Sequence, residues 1–228
     1  FEIHKEYPLA GNPPLMTHVY QNKSNKNHPT FIASKGSLEG VLKQCGLSKD
    51  AESAVFAIHD TMTAKGYRVL GVAGTNKVGT LPDIQEDCKL DFYGLIAFYD
   101  PPKANTSEII RSFYNAGIRV IMITGDHSGT AAAIASQIGL KVESGILTGQ
   151  EVMDANEAIL KEKVKSVSLF TRMFPQAKLL VIEALKSNGD VVAMTGDGVN
   201  DGPALKSAHI GIAMGMRGSE IARQASNL

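Results

Sequence analysis

Residues 191–215, VVAMTGDGVNDGPALKSAHIGIAMG, crowd Asp197, Asn200 and Asp201 between two apolar runs, Val191–Met194 and Ile210–Ala213. A buried strand has no internal use for two carboxylates and an amide, so these groups face outward at its end. Earlier in the chain Ile123-Thr124-Gly125-Asp126 repeats the form of Met194-Thr195-Gly196-Asp197, each after a four-residue apolar run. Glycines such as Gly196 and Gly198 let the backbone come close to a ligand, Thr offers a hydroxyl and an N–H, and Asp supplies a hard oxygen for Mg²⁺. The combination suits a phosphate held beside magnesium. One such tripeptide reads equally as a turn whose Asp caps the next helix. Two copies, with Asn200 and Asp201 behind the second, favour one shared site. Lys178, just after Pro175, could bring a phosphate-neutralising cation to the same edge, though alone it reads as a solvated first-turn lysine.

The elements that must position these groups alternate from about residue 92 onward. Strands are expected at Phe92–Tyr99, Val120–Ile123, Val191–Met194 and Ile210–Ala213, and helices at Glu108–Ala116, Thr130–Ile138, Gln176–Ser187 and Pro203–Ser207. Gly117 and Gly139 close the first two helices. This alternation predicts an α/β domain over 92–228 with a doubly wound parallel sheet, whose strand carboxyl ends share the ligand edge. Residues 1–91 differ and predict a smaller α+β domain: strands around Thr17–Tyr20, Phe31–Ala33 and Tyr67–Ala73, and helices at Ser37–Cys45 and Asp50–Lys65. Asn22–Pro29 reads as a polar hairpin tip and Gly79–Asp87 as a loop.

Composition removes several function classes. Lys+Arg and Asp+Glu both number 23, a net charge of zero, so no global field draws the chain to nucleic acid or an anionic membrane. Cys45 and Cys88 have no metal-ligand spacing and read as free thiols in a reducing compartment. The apolar runs fall far short of the roughly 20 residues a membrane helix needs, so the chain reads as soluble. There is no GxxxxGK[ST], and Gly196-x-Gly198-x-x-x-Gly202 is one residue too long for the dinucleotide fingerprint. His59, His127 and His209 read as capping or surface residues rather than catalysts, since none has a nucleophile-elbow context.

Thr195-Gly196-Asp197-Gly198-Val199-Asn200-Asp201, then Pro203-Ala204-Leu205 and Ile210-Gly211-Ile212-Ala213-Met214-Gly215, closely resembles the hinge segment of P-type cation-transporting ATPases. Lys35-Gly36-Ser37-Leu38-Glu39, Asp100-Pro101-Pro102 and Thr124-Gly125-Asp126 match the same family in the same order, so the resemblance covers nearly the whole chain. It leans toward the bacterial, calcium-like group. The resemblance implies the later part of a nucleotide-binding domain over 1–91, followed over 92–228 by most of a phosphorylation domain with a haloacid-dehalogenase-like fold. In that family ATP phosphorylates an aspartate, and hydrolysis of the aspartyl phosphate drives cation transport. By motif matching, Asp197 would be the Mg²⁺ ligand, with Asn200 and Asp201 ordering the site. Thr124, Gly125 and Lys178 would contact the phosphoryl group, and Asp126 would support the hinge and nucleotide. Lys35 and Gly36 would lie along the adenosine pocket, with Arg68 reaching toward the phosphates. The implied partners are ATP with Mg²⁺ and the transmembrane and actuator domains of a parent chain on the cytoplasmic side of a bacterial plasma membrane. The transported cation would not be bound by these residues.

Two departures from the family pattern stand out. No Asp-Lys-Thr-Gly-Thr occurs in these 228 residues, so the expected phosphorylated aspartate is absent and the chain alone is expected to be inactive. The strand carrying that motif would also leave a slot in the sheet, exposing backbone donors and apolar surface. Aligned on Met16, Leu9 and Pro14 stand where many relatives place a Phe and a Lys; Leu9 offers apolar contact without a π face. Two rival functions share parts of the pattern: a soluble haloacid-dehalogenase-like phosphatase, and a non-catalytic nucleotide-binding module. The phosphatase would need an Asp-x-Asp near the chain start, which is not there.

Overall fold

The computed structural model describes residues 1–228 except 12, 24, 198 and 215–218. Gly198 and Gly215 of the motif, and Ser24 of the expected hairpin tip, lie outside the described residues. The chain forms two compact units, Phe1–Asp100 and Pro101–Leu228.

The first unit is a five-stranded antiparallel sheet of order β1-β2-β3-β4-β5: β1 Glu2–Ala10, β2 Leu15–Asn22, β3 Asn25–Gly36, β4 Arg68–Thr75 and β5 Asp91–Phe98. Its alternation is clearest in β2, where Leu15, Thr17 and Val19 are buried and Met16, His18 and Tyr20 are half-buried. A period of two places the first set on one face with Ile32 and Ser34 of β3 and Val69 and Ala73 of β4. Within this face the Thr17 hydroxyl donates to the Ser34 hydroxyl at 3.0 Å, so neither is left unsatisfied. Helix α1 (Leu38–Lys43), capped by Ser37, packs on β3 and β4 and buries Leu38, Val41 and Leu42; α2 (Lys49–Thr63) packs on β4. The amide of buried Gln44 donates to Gln85 O, and the Gln85 amide donates to Leu15 O, tying the loop before β5 to β2.

The strand expected at Phe92–Tyr99 is present as β5, but it is not part of a parallel sheet: it pairs antiparallel with β4, Leu70 facing Ile96. The boundary therefore falls at Asp100, not at 91. A short apolar run does not declare its partner's direction, whereas Pro101 and Pro102, without N–H groups, end the strand where the first unit ends. β1 was not anticipated at all. His59 also departs from its expected capping or surface role: it lies on α2, 3% exposed, with Nδ1 3.1 Å from Asp60.

The second unit begins with α3 (Thr106–Asn115), β6 (Met122–Ile123) and α4 (Ser128–Gln137). It continues through β7 (Ile146–Thr148), α5 (Gly149–Asp154), α6 (Glu157–Lys163), β8 (Leu169–Thr171) and α7 (Pro175–Ser187). Beyond these come β9 (Ala193–Gly196), α8 (Gly202–Ser207), β10 (Ile210–Ala213) and α9 (Glu220–Ala225). All strand pairs are parallel, as expected, but they form two sheets: β6-β8-β7 and β10-β9. β8 is buried on both faces. Leu169 joins Ala131, Ala135 and Ile138 of the α4 side, while Phe170, 0% exposed, joins Val152, Val181, Ile182, Leu185 and Leu205. Helices thus cover both faces of a parallel layer.

Residues 140–171, for which the sequence reading expects no element, hold β7, α5, α6 and β8. The first two are joined by a capping box in which the Thr148 hydroxyl and Glu151 carboxylate satisfy each other's backbone N–H. These hydrogen bonds hold the Glu151 carboxyl below its usual range.

Phe170→Ala should lower the stability of the second unit by about 3–5 kcal/mol, read as an earlier urea midpoint for its unfolding. Truncating exposed Ile109 should change that midpoint little. Cys45 and Cys88 are buried and free, and burial pushes the Cys45 thiol up to about 11. At pH 8 both should resist a thiol reagent until denaturant opens the first unit; rapid labelling of the native chain would contradict this packing.

Candidate functional site

The site is assembled where parallel strands of the second unit end. β6 runs out at Ile123 into Thr124-Gly125-Asp126, where two backbone bonds hold Thr124 to β8 and the residues just after it: Thr124 N–H donates to Phe170 O at 2.9 Å, and Met173 N–H donates to Thr124 O at 3.0 Å. The turn then closes on itself. The Thr124 hydroxyl donates to the Asp126 carboxylate at 3.1 Å and accepts the Asp126 N–H at 3.1 Å. The next helix is capped not by Asp126 but by His127, whose Nδ1 accepts the Gly129 N–H. Asp126 is thus a brace for the Thr124 turn rather than a helix cap.

β9 ends at Gly196, and Asp197 follows with an exposed side chain. The Asp197 carbonyl accepts the N–H of Ser219, the residue that caps α9, which fixes the backbone under the carboxylate. Asn200, exposed, and Asp201, buried, sit in a single 3₁₀ turn over Val199–Asp201. A Cβ on Gly196 would stand 2.8 Å from Asp201 Cβ and 2.9 Å from Asp201 Oδ2. This glycine is therefore required by the approach of Asp201, whereas a Cβ on Gly125 would meet nothing closer than Met173 O at 3.5 Å.

Lys178 lies in the first turn of α7, which Pro175 opens. Its Nζ is 2.6 Å from Asp201 Oδ1, and the two side chains are only 13% and 11% exposed. It is no solvated lysine. Thr124, Gly125, Lys178, Asp197 and Asp201 line one cavity of about 890 Å³, whose apolar wall includes Ile121, Ile123, Ile182 and Met194. The cavity separates the two sheets: among the described residues, β6 pairs only with β8 and β9 only with β10. A carboxylate-paired cation, a hydroxyl turn and an exposed Asp thus meet beside an apolar wall.

One residue at this edge escaped sequence reading. Arg172, after β8, has φ 50, the only positive φ outside glycine among the described residues, and its N–H donates to Asp126 O at 3.0 Å. A Cβ on Gly149 would meet Arg172 O at 2.5 Å. Nothing in Thr171-Arg172-Met173 announces a left-handed residue.

The other predicted site residues lie in the first unit. Lys35 is exposed on β3, facing Met16 across β2 and Val72 across β4. Arg68 is exposed on β4 at the same side of the sheet, an even number of residues from Val72. Leu9, 64% exposed, is on edge strand β1 past a register irregularity, two strands from Lys35. Gly36 packs: a Cβ there would be 2.6 Å from Leu15 Cα and Pro14 O.

Comparison with known proteins matches residues 69–209 to the model of the haloacid dehalogenase-like hydrolases. A probable cation-transporting ATPase F of Mycobacterium tuberculosis is 39% identical over 213 residues, 86% of this chain and 24% of that protein. A calcium-transporting ATPase of Bacillus subtilis is 33% identical over 241 residues, covering 100% of this chain and 27% of its own length. A sodium/potassium exporting P-type ATPase of Schizosaccharomyces pombe is 33% identical over 249 residues, 98% and 23%. The chain spans about a quarter of the length of the curated relatives it matches.

Gly36→Ala should cost about 1–3 kcal/mol by overpacking β2, and Lys35→Ala should leave stability unchanged. Thermal unfolding of the two variants separates the packing glycine from its exposed neighbour.

Proposed function

Because the chain belongs to the haloacid dehalogenase-like hydrolases, we propose that it is the cytoplasmic part of a P-type ATPase whose parent couples ATP hydrolysis, through an aspartyl phosphate, to cation transport across a membrane. The observation that carries this reading is the cavity at the ends of β6 and β9, where Thr124, Gly125, Lys178, Asp197 and Asp201 meet. Phosphoryl transfer asks the protein mainly for positioning and charge neutralisation, and those are the groups gathered there.

The residues fit a hard cation. Asp201 is engaged by Lys178, which leaves exposed Asp197 as the carboxylate open to Mg²⁺. Bound there, Mg²⁺ supplies neutralisation of the phosphoryl oxygens. Lys178 adds a second positive charge, Thr124 and Gly125 orient the phosphoryl group through hydroxyl and N–H, and Asp126 braces their turn. Asn200 and Asp201 order the approach to Asp197. In the first unit, Lys35 and Arg68 present cations on the open side of a neutral chain, where a nucleotide's phosphates and adenosine would lie. Leu9 gives apolar contact, and Gly36 shapes the strand end beneath Lys35.

The nucleophile belongs to the parent. Among the described residues β6 and β9 are edge strands whose residues line the cavity, and a parallel strand inserted between them would end beside Lys178 and Asp197, where an aspartate could receive the phosphoryl group. The transmembrane and actuator domains would complete the pump and carry the cation site. Relatives named for calcium transport and for sodium or potassium export are each 33% identical to this chain, which fits a segment that handles ATP rather than the ion.

Titrating this chain with MgATP while following amide resonances should shift signals around Lys35 and Asp197 without ATP turnover. Asp197→Asn should remove the Mg²⁺-dependent shifts and spare those at Lys35. Silence at both positions would refute nucleotide binding, and hydrolysis abolished by Asp197→Asn would show that the nucleophile lies within these residues.

A further inference from the structure

Asp201 holds the cap position of α8, where an aspartate ordinarily accepts an N–H of the first helical turn, yet its side chain makes no capping bond. The carboxylate is turned onto Lys178 instead, Oδ1 to Nζ 2.6 Å, and Gly196 lacks the side chain that would push it away. Lys178 is fixed from the other end by α7, its N–H donating to Phe174 O at 3.1 Å. Both charged groups line the cavity together with Thr124 and Gly125. A lysine free to meet an incoming anion would need no such partner, and a purely structural pair would need no access to the cavity.

We propose that Asp201 is a positioning residue, an internal anion that holds the Lys178 ammonium in place and competes with phosphate for it. The inference rests on reading Lys178 as the phosphate-binding cation. The pair is neutral as a unit, so an arriving phosphate feels the attraction of Lys178 largely offset by the nearby carboxylate. Affinity for free phosphate is thereby kept low, and the cation is delivered only to a phosphoryl group that other contacts have already placed. Asn at this position keeps the shape and an oxygen for the ammonium but removes the charge.

The test is a titration of this chain with inorganic phosphate, without Mg²⁺, following the Lys178 side-chain resonances in the parent sequence, Asp201→Asn and Gly196→Ala. Asp201→Asn is expected to tighten phosphate binding about tenfold, the order expected for removing one unit charge a few ångströms from a dianion. Gly196→Ala, which crowds the carboxylate without removing it, is expected to move affinity in the same direction by a smaller factor. A merely structural role predicts the opposite, since loosening the pair would weaken or leave unchanged the capture of phosphate; that result in both variants overturns the proposal. If phosphate binds and perturbs Lys178 equally in all three chains, Asp201 does not compete and this inference alone fails. If Lys178 never responds, even in Asp201→Asn, the placement of phosphate at Lys178 fails and takes this inference with it.

Discussion

Burying two opposite charges costs several kcal/mol per ion unless they meet at good geometry, and the Lys178–Asp201 pair sets that condition at the heart of the second unit. With side chains 13% and 11% exposed, neither group can be satisfied by water alone. The rest of the edge accommodates them. Gly196 carries no side chain because Asp201 lies over it, α8 goes without an Asp201 cap because the carboxylate is spent on Lys178, and Pro175 starts α7 so that Lys178 falls in its first turn. One ion pair thus ties a helix start, a strand end and a 3₁₀ turn together.

Around that pair the backbone does the remaining positioning. β8 is the hub of its sheet: Phe170 and Met173 hold Thr124 from either side, and Leu169 and Phe170 anchor helices on opposite faces. The layer nevertheless comes in two parts with an apolar cleft between them. Apolar walls at strand edges are stable surfaces for another strand and poor ones for water.

The first unit solves a different problem. Its continuous antiparallel sheet buries one face under α1 and leaves the other half-exposed, with Lys35 and Arg68 as local charges on a chain of zero net charge. Close strand packing at Gly36 makes the glycine of the Lys-Gly motif a requirement of the fold. Its neighbour Lys35 is exposed and outside that packing.

Much of the candidate site was legible because carboxylates and glycines at the ends of apolar runs have few other uses: the two Thr-Gly-Asp turns, Asn200 and Asp201 stand out by spacing, whereas Lys178 reads as a solvated lysine until the family resemblance is added, and the family motifs name the hydrolase fold. β10 at Ile210–Ala213 and the helices that Gly117 and Gly139 close follow from period and glycine punctuation. Partnerships were not legible. That β5 pairs antiparallel with β4, that the Asp201 carboxylate meets Lys178 over Gly196, and that Arg172 takes a left-handed conformation with its N–H on Asp126 all involve residues distant in sequence. The sequence determined which chemical groups stand at the strand ends, because polarity and period are local properties. Only the tertiary structure decided which of them meet, because hydrogen bonds, ion pairs and steric approach are settled between segments that the chain brings together by folding.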